Sequence, residues 1–497
     1  MGKLVTRHSS PVTRDWFMVK ALLFAMPDSV PRFDAATFVP NLGIVSIAGN
    51  VDPDVCDVKV ADLLLVRRRL EDYVLGLLRK QSPDLVGLSC MSFQYRSALK
   101  LAKLVKTYDK NILVVIGGYH PTLMYDEISE SPGAGFIDFI ARGEGEATFN
   151  ELVTAMDAGR GYDKIAGLSY KATGVFHHNP PRGLLSLDTI QLPKRDARLI
   201  TKGFHAFGLP ADAIETSRGC TYNCKFCSIS HMYGRSFRKY EASRVIADIK
   251  NAYDHGARSL GIMDDNITLD LEALETLCEE IAAAKLNSIH YSVQASVRGI
   301  AHSARLVKKM ADAGVKLVFL GIESVSKANL DFLGKQTTVP DDTRKAVKYL
   351  RDNGIICAGG FIVGNPDDDE GSLWHTFSVA RDLEIDMPIF FILTPHAKTQ
   401  IRKELIAEEL VTNTDDFSTY HGFSANIRTK YLTSEEIDGI VEEMYDAYYT
   451  DPDYLRFTQV RKIYPAYFWK AAVKQLPSAV LDRMKDGLRT KSLSGKS

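Results

Sequence analysis

Residues 217–239 read SRGCTYNCKFCSISHMYGRSFRK and place Cys220, Cys224 and Cys227 within eight positions, with Phe226 just before the last. The other four of the seven cysteines, Cys56, Cys90, Cys278 and Cys357, are scattered and read as small buried residues of a reducing compartment. The cluster does not fit that reading. Zinc normally takes four ligands, often as two separated pairs. Here three thiols crowd into one loop, and His231 is the single candidate for a fourth ligand. An iron–sulfur cluster is the better match, because thiolates hold its irons. Three cysteines for four irons leave one iron open to a substrate or cofactor.

Outward from this loop, apolar runs alternate with helical patterns. AIETSRGC leads into the cysteines, and SLGIMDD (259–265), IHYSVQAS (289–296), VKLVFLGIES (315–324), IICAGGFIVG (355–364) and DMPIFFILTP (386–395) follow as strands. Segments such as EASRVIADIKNAYDHG and DDTRKAVKYLRDNG, each ending at glycine, read as the helices between them. Six such units predict a partial or complete barrel over 213–400, whose chemistry would lie at the C-terminal ends of its strands. The cysteine loop follows the first of those strands.

Upstream, residues 18–157 show the same alternation: MVKALLFAMP (18–27), DLVGLSC (84–90), NILVVIGG (111–118) and the start of FIDFIARGEGEATFNELVTAM (136–156) as strands, RSALKLAKLVKTY (96–108) as a helix. This predicts a second α/β unit with a parallel sheet covered on both faces. Its ligands would bind beyond the strand ends, at SCMSFQ and GGYHPT. Residues 158–212, with prolines and short alternating runs, read as a small β-rich connector. Residues 401–497 read as helical, and TSEEIDGIVEEMYDAYYT opens with the capping-box pair Thr433 and Glu436.

Composition agrees with globular α/β domains: 497 residues, 45% hydrophobic, 25% charged and a formal net charge of -1. No global field draws such a chain to nucleic acid. It has no run of 18 or more apolar residues, and its first twenty residues lack the apolar core of a signal peptide, so a cytoplasmic location is expected. Met1-Gly2 followed by Thr6 fits the short N-myristoylation pattern, whose few fixed positions arise easily by chance. Residues 456–497 hold ten Lys/Arg against two Asp around IYPAYFWKAAVKQL. Such a stretch would suit peripheral contact with an anionic membrane. The competing and preferred reading is a helix capping the barrel with a solvated basic face.

The CxxxCxxC spacing with its aromatic residue resembles the radical S-adenosylmethionine (SAM) superfamily. The resemblance implies a [4Fe-4S] cluster on Cys220, Cys224 and Cys227 whose open iron chelates SAM, which is then cleaved to methionine and a 5'-deoxyadenosyl radical. By the same resemblance Asp264 and Asp265 stand where the family contacts the SAM amino group, although MDDN departs from its Gly-Gly-Glu-like segment; a helix-capping Asp is the competing reading. Ser296 and Arg298 look like ribose and carboxylate contacts, and Glu323 ends the fourth strand at the barrel rim. Gly360, Ile362 and Gly364 match the glycine-rich adenine-binding strand, whose acidic position falls on Asp369.

FVPNLGIVSIAG, PDLVGLSCMSFQ, VVIGGYHPT and IDFIARGEGE resemble the cobalamin-binding domain of class B radical SAM enzymes. That implies a flavodoxin-like fold and a cobalamin whose nucleotide tail is lined by Ser89, Ser92, Gly117 and Gly118. The Asp-x-His-x-x-Gly motif that supplies a cobalt ligand is absent, so cobalamin would bind base-off; a degenerate domain that binds nothing is the competing reading. Within class B the motifs look like hopanoid C-3 methylase and anaerobic magnesium-protoporphyrin monomethyl ester cyclase. The implied reaction is methylation of an unactivated carbon of a lipid-like or polycyclic small molecule, with oxidative ring closure as the alternative and a reductant such as flavodoxin or ferredoxin as partner. A non-catalytic cobalamin or cluster sensor is the reading from a different class, and no output module marks it.

Overall fold

The computed structural model describes residues 18–30, 36–335 and 340–475. The N-myristoylation pattern and the basic tail beyond Gln475 fall outside them.

Seven strands form the first sheet: β1 (Val19–Ala25), β2 (Cys56–Asp62), β3 (Leu85–Ser89), β4 (Leu113–Gly117), β5 (Phe139–Ala141), β6 (Leu168–Ala172) and β7 (Val175–His178). Their order is β2-β1-β3-β4-β5-β6-β7. The first five are parallel and follow the flavodoxin-like order 2-1-3-4-5, which puts a crevice where the winding reverses, between β1 and β3. Successive side chains of β1 alternate between two cores. Ala21 and Leu23 pack with helices 42–49 and 145–158; Leu22 and Phe24 pack with helices 70–81 and 95–108. The hairpin β6–β7 adds to β5 antiparallel, so residues 168–178, read from sequence as connector, extend the N-terminal sheet.

The second sheet carries six parallel strands in sequential order: β8 (Leu209–Ile214), β9 (Ser259–Ile262), β10 (His290–Ser296), β11 (Val315–Glu323), β12 (Ile356–Val363) and β13 (Met387–Ile392). It stays open. Its β8 edge is extended antiparallel by His205–Ala206 and then by Thr37–Phe38, so the N-terminal segment threads onto the barrel sheet. All eight residues of β12 are buried, as expected for a strand covered on both faces. Helices Ala242–Asp254 and Pro340–Asp352 stop where expected, before Gly256 and Gly354, both left-handed.

Thr433 and Glu436 form the expected capping box at the start of helix Ser434–Thr450. The C-terminal region is less helical than its composition suggests. Residues 408–433 run largely irregular and reach the top of the barrel. Within IYPAYFWKAAVKQL, Tyr464 and Phe468 are buried. Tyr464 stacks on Phe207 at 4.5 Å, and its hydroxyl meets His290 Nδ1 at 3.1 Å, at the N-terminal end of β10. That part of the stretch closes the bottom of the barrel. Among the described residues no helix is long and apolar enough to cross a membrane. Cys56, Cys90, Cys278 and Cys357 are free and buried, as read from sequence.

Candidate functional site

The cysteine loop leaves β8 through a short ladder: Ser217–Arg218 pairs antiparallel with Arg238–Lys239, closing the loop at its base. Gly219 must be glycine. Its φ is +91°, and a Cβ there would stand 2.3 Å from the Ser236 carbonyl oxygen. Further along, the Lys225 N–H donates to the Leu333 carbonyl at 3.0 Å and the Ile401 N–H to the Lys225 carbonyl at 3.2 Å. The loop is thus pinned from both sides of the barrel rim.

Cys220, Cys224 and Cys227 rim a cavity of about 370 Å³, with Phe226, Asp265, Ser296, Gly321, Glu323 and Lys335 also on its walls. Burial pushes all three thiols up, Cys227 to about 12. Such thiols ionise when a metal replaces the proton. Among the described residues no group of three or more His, Cys, Asp or Glu gathers closely enough for a single metal ion. The donor set and the cavity fit a cluster of several irons. His231 is exposed and off the cavity wall, which leaves the zinc reading without its fourth ligand.

The two aspartates of MDDN part company, and neither caps a helix. Asp264 is fully buried and turns away from the cavity. It accepts hydrogen bonds from the Thr216 N–H at 2.7 Å, from Thr216 Oγ1 and from Ser217 Oγ at 2.6 Å. It braces the loop's base, and burial raises its carboxyl to about 6 despite those donors. Asp265 lines the cavity and accepts the Gly219 N–H at 2.9 Å. The caps belong to Asn266 and Asp270.

Ser296 lines the wall, but its hydroxyl is engaged. It accepts the Gly299 N–H at 3.1 Å and meets Thr268 Oγ1 at 2.9 Å. Arg298 is exposed and off the wall, so the structure does not bring it to the others. Glu323 ends β11 with φ +67° and pairs with buried Lys335 at 2.8 Å. Gly321 makes room for them: a Cβ there would stand 2.7 Å from Glu323 Oε1. Lys335, Gly321 and Gln294 are site residues that sequence reading missed. On β12, a Cβ at Gly360 would meet the Phe319 ring at 2.6 Å, whereas Gly364 takes φ +79° beside Ile427. Asp369 caps the helix Glu370–Asp382.

A second cavity, about 420 Å³, opens at the strand ends of the first sheet, at the crevice between β1 and β3. Ser89, Gly117 and Gly118 line it; Ser92 does not. Gly118 has φ +96°, and a Cβ there would come within 3.0 to 3.2 Å of Cys90 backbone atoms and Ser89 Oγ. The cavity needs glycine to exist in this form. Arg218, Tyr233 and Met263 of the barrel domain close its far side. His120 is no part of it. That ring is buried between Tyr95 and Phe417, with Nδ1 3.2 Å from Ser92 Oγ, and burial lowers it to about 4.

A third cavity of about 400 Å³ joins the two. It shares Met91 and Tyr119 with the first-sheet cavity and Phe226, Gln294, Phe319 and Glu323 with the cysteine cavity. Ile362, Phe391, His396 and Tyr420 complete much of its wall.

Residues 30–153 match the B12 binding domain, and residues 214–380 match the Radical SAM superfamily. An "uncharacterized methyltransferase" of Pyrococcus horikoshii is 33% identical over 442 residues, 88% of this chain and 94% of that one. This chain belongs to the cobalamin-binding radical SAM enzymes. Anaerobic magnesium-protoporphyrin IX monomethyl ester cyclase of Rubrivivax gelatinosus is 26% identical over 401 residues, covering 78% of this chain and 69% of its own. The fold matches that of the radical SAM methyltransferase TsrM from Kitasatospora setae, solved with cobalamin and a [4Fe-4S] cluster bound. There the TM-score is 0.68 at 18% identity, over 88% of this chain and 90% of that one. The flavodoxin-like sheet, the six-stranded open barrel and their order in the chain agree with the expectation from sequence.

Proposed function

We propose that this enzyme methylates an unactivated carbon of a lipid-like or polycyclic small molecule held in the middle cavity. SAM on a [4Fe-4S] cluster and a cobalamin, when bound, supply the hydrogen-abstracting radical and the methyl group respectively. The observation that carries this reading is the row of three cavities with shared walls. Cys220, Cys224 and Cys227 would hold the cluster, with Asp265, Glu323 and the Ser296 backbone around SAM. Gly117, Gly118 and Ser89 would take the cobalamin tail. Phe226 and Phe319 on one side, Met91 and Tyr119 on the other, position a substrate between the two and exclude water from it. A flavodoxin or ferredoxin is the proposed electron donor.

Oxidative ring closure is the second reading, favoured by the cyclase relative. Anaerobic purification from cobalamin-supplied cells, followed by cluster reconstitution, tests the assignment through cobalt, iron and the visible spectrum. Near-stoichiometric cobalt beside the iron of one [4Fe-4S] cluster is expected. Iron without cobalt would remove the methylation reading. Methylation releases S-adenosylhomocysteine together with 5'-deoxyadenosine, whereas ring closure releases only the latter. Cys224→Ala should abolish both the cluster and 5'-deoxyadenosine release.

A further inference from the structure

The chemistry of the middle cavity narrows the substrate class beyond that reading, on which the following rests. Its walls carry the rings of Phe93, Tyr119, Phe226, Phe319, Phe391 and Tyr420. Among the described residues one wall side chain is an acid or a basic Lys or Arg, namely Glu323, and Lys335 neutralises it at 2.8 Å. A carboxylate or phosphate in this chamber would find no cation to pair with and would lose its hydration, which costs several kcal/mol. The aromatic walls favour a flat or polycyclic apolar body.

Of the polar side chains on the wall, the Gln294 amide and the Tyr119 hydroxyl make no hydrogen bond among the described residues, and most of the others are engaged. Ser92 Oγ meets His120, Thr394 Oγ1 donates to the Ile392 carbonyl, and Tyr420 OH is held by Arg402 and the Asn413 carbonyl. The Phe423 N–H donates to His421 Nδ1 at 3.2 Å. His396 differs. Neither ring nitrogen has a hydrogen-bond partner among the described residues, although its backbone is fixed by bonds to Thr394 and Thr399. Arg402, the nearest charge, is committed to the Pro395 carbonyl, Tyr420 OH and the Thr414 carbonyl, so it stabilises the loop rather than a ligand. Burial lowers the His396 pKa to about 4, so its ring is neutral at pH 7 and offers one donor and one acceptor.

We propose that the reacting half of the substrate is an uncharged aromatic or polycyclic ring system bearing a hydroxyl, carbonyl or ring N–H, and that His396 reads this polar group. Charged parts of the molecule, where present, remain at the outer mouth. There a pocket of about 300 Å³ shares Phe93 and His421 with the chamber and carries Arg96, Lys100 and Asp28.

Equilibrium dialysis of the cobalamin-loaded, cluster-reconstituted protein against three probes of one shape tests this: naphthalene, 2-naphthol and 2-naphthoate at neutral pH. One added hydrogen bond to a desolvated partner is expected to make 2-naphthol bind about tenfold tighter than naphthalene, with 2-naphthoate the weakest. His396→Phe should erase the advantage of 2-naphthol while naphthalene still binds, and His396→Gln should restore part of it. Tightest binding by 2-naphthoate, or a tenfold preference that survives His396→Phe, would overturn the proposal. Cobalt content and 5'-deoxyadenosine release are measured on the same preparations. If both are normal and no probe binds, this inference fails alone; if the wild type lacks them, the functional reading beneath it fails.

Discussion

Arg218 Nη2 lies 2.6 Å from Glu146 Oε1, joining the residue two places before the first cluster cysteine to a helix of the other domain. The same guanidinium reaches Glu144 at 2.8 Å and Glu215 at 2.7 Å, and Arg238 adds a second contact to Glu144. Burial would weaken the Arg218 cation, but Glu146 and Glu215 outweigh it and hold its pKa above the usual value. Arg218 also lines the cavity at the ends of the first sheet. One buried ion network therefore fixes the cysteine loop and the cavity at the ends of the first sheet to each other. Arg218→Ala would leave Glu146 buried without its cation and Glu144 with Arg238 alone, a loss of about 3–5 kcal/mol. Thermal unfolding should show it, and iron and cobalt content should fall together. Arg218→Lys keeps the charge but not the forked geometry, and should fall between.

The same network sets an acid limit. Burial alone would raise the Glu144 carboxyl, yet hydrogen bonds from Arg238 and Arg218 hold it below its ordinary value of 4.5. A carboxylate lowered on folding contributes stability that is complete above its unfolded pKa and is lost as pH falls through the folded one. The apoprotein should therefore keep its domain contact down to about pH 4.5 and lose it below. Hydrogen exchange over residues 142–147 and 217–219 along a pH series would record the change. In Glu144→Gln the acid-dependent step should shrink.

What sequence revealed and what it hid follow from range. Strands β1, β3, β4, β12 and β13 are apolar runs largely buried on both faces, and their patterns are local. Strand β2, CDVKVAD, is an edge strand in which charges interrupt the apolar residues, so it shows no continuous apolar run. The hairpin 168–178 looked like a connector because nothing in its residues names the sheet it joins. The thiols were legible from spacing alone. Lys335 was not, since its meaning comes from Glu323 twelve residues away across the helix Lys327–Leu333, and Arg218 takes its meaning from partners 72 and 74 residues away. Arg298 misled for the opposite reason: it follows Ser296 closely in sequence, but the short helix that begins there turns it outward.

The aspartate pair and Arg298 give a direct check on placement. Asp265 lines the cysteine cavity, whereas Asp264 braces Thr216 and Ser217 from behind. Asp265→Asn should weaken SAM binding by about tenfold or more, as expected for loss of a charged hydrogen-bond partner. Asp264→Asn should leave SAM affinity within about twofold and act on stability instead. Arg298→Ala should change neither, as expected for an exposed side chain off the wall. Isothermal titration with SAM on reconstituted protein separates the three.

Gly118→Ala tests the other cavity. The added methyl group would meet Cys90 backbone and Ser89 Oγ at 3.0 to 3.2 Å, at φ +96° and ψ -160°, a conformation essentially confined to glycine that costs an L-residue about 1–3 kcal/mol. The strand end should shift and close the crevice. Cobalt retention should fall several-fold while iron content stays near the wild-type level, because the cysteine loop is pinned by other contacts. Equal loss of both metals would instead mean general unfolding.

Glu323 and Lys335 allow the sharpest test, because the pair can be broken or neutralised. Glu323 holds a left-handed backbone at φ +67°, a conformation that costs of order 1–3 kcal/mol and persists only when its surroundings enforce it. The β11–β12 ladder shifts register between Gly321 and Glu323, Lys335 pairs with the Glu323 carboxylate at 2.8 Å, and both side chains are largely buried beside the thiols. Lys335→Met leaves the carboxylate buried and unpaired, so stability should fall by about 3–5 kcal/mol and SAM affinity by at least tenfold. Glu323→Gln combined with Lys335→Met removes both charges and should recover most of the stability. If Glu323 holds SAM, the double variant should not recover SAM affinity. If the pair serves only to shape the rim, affinity should return with stability. Unfolding curves and SAM titrations on the two variants and Glu323→Gln complete the cycle, and the coupling they yield separates holding a ligand from holding the fold.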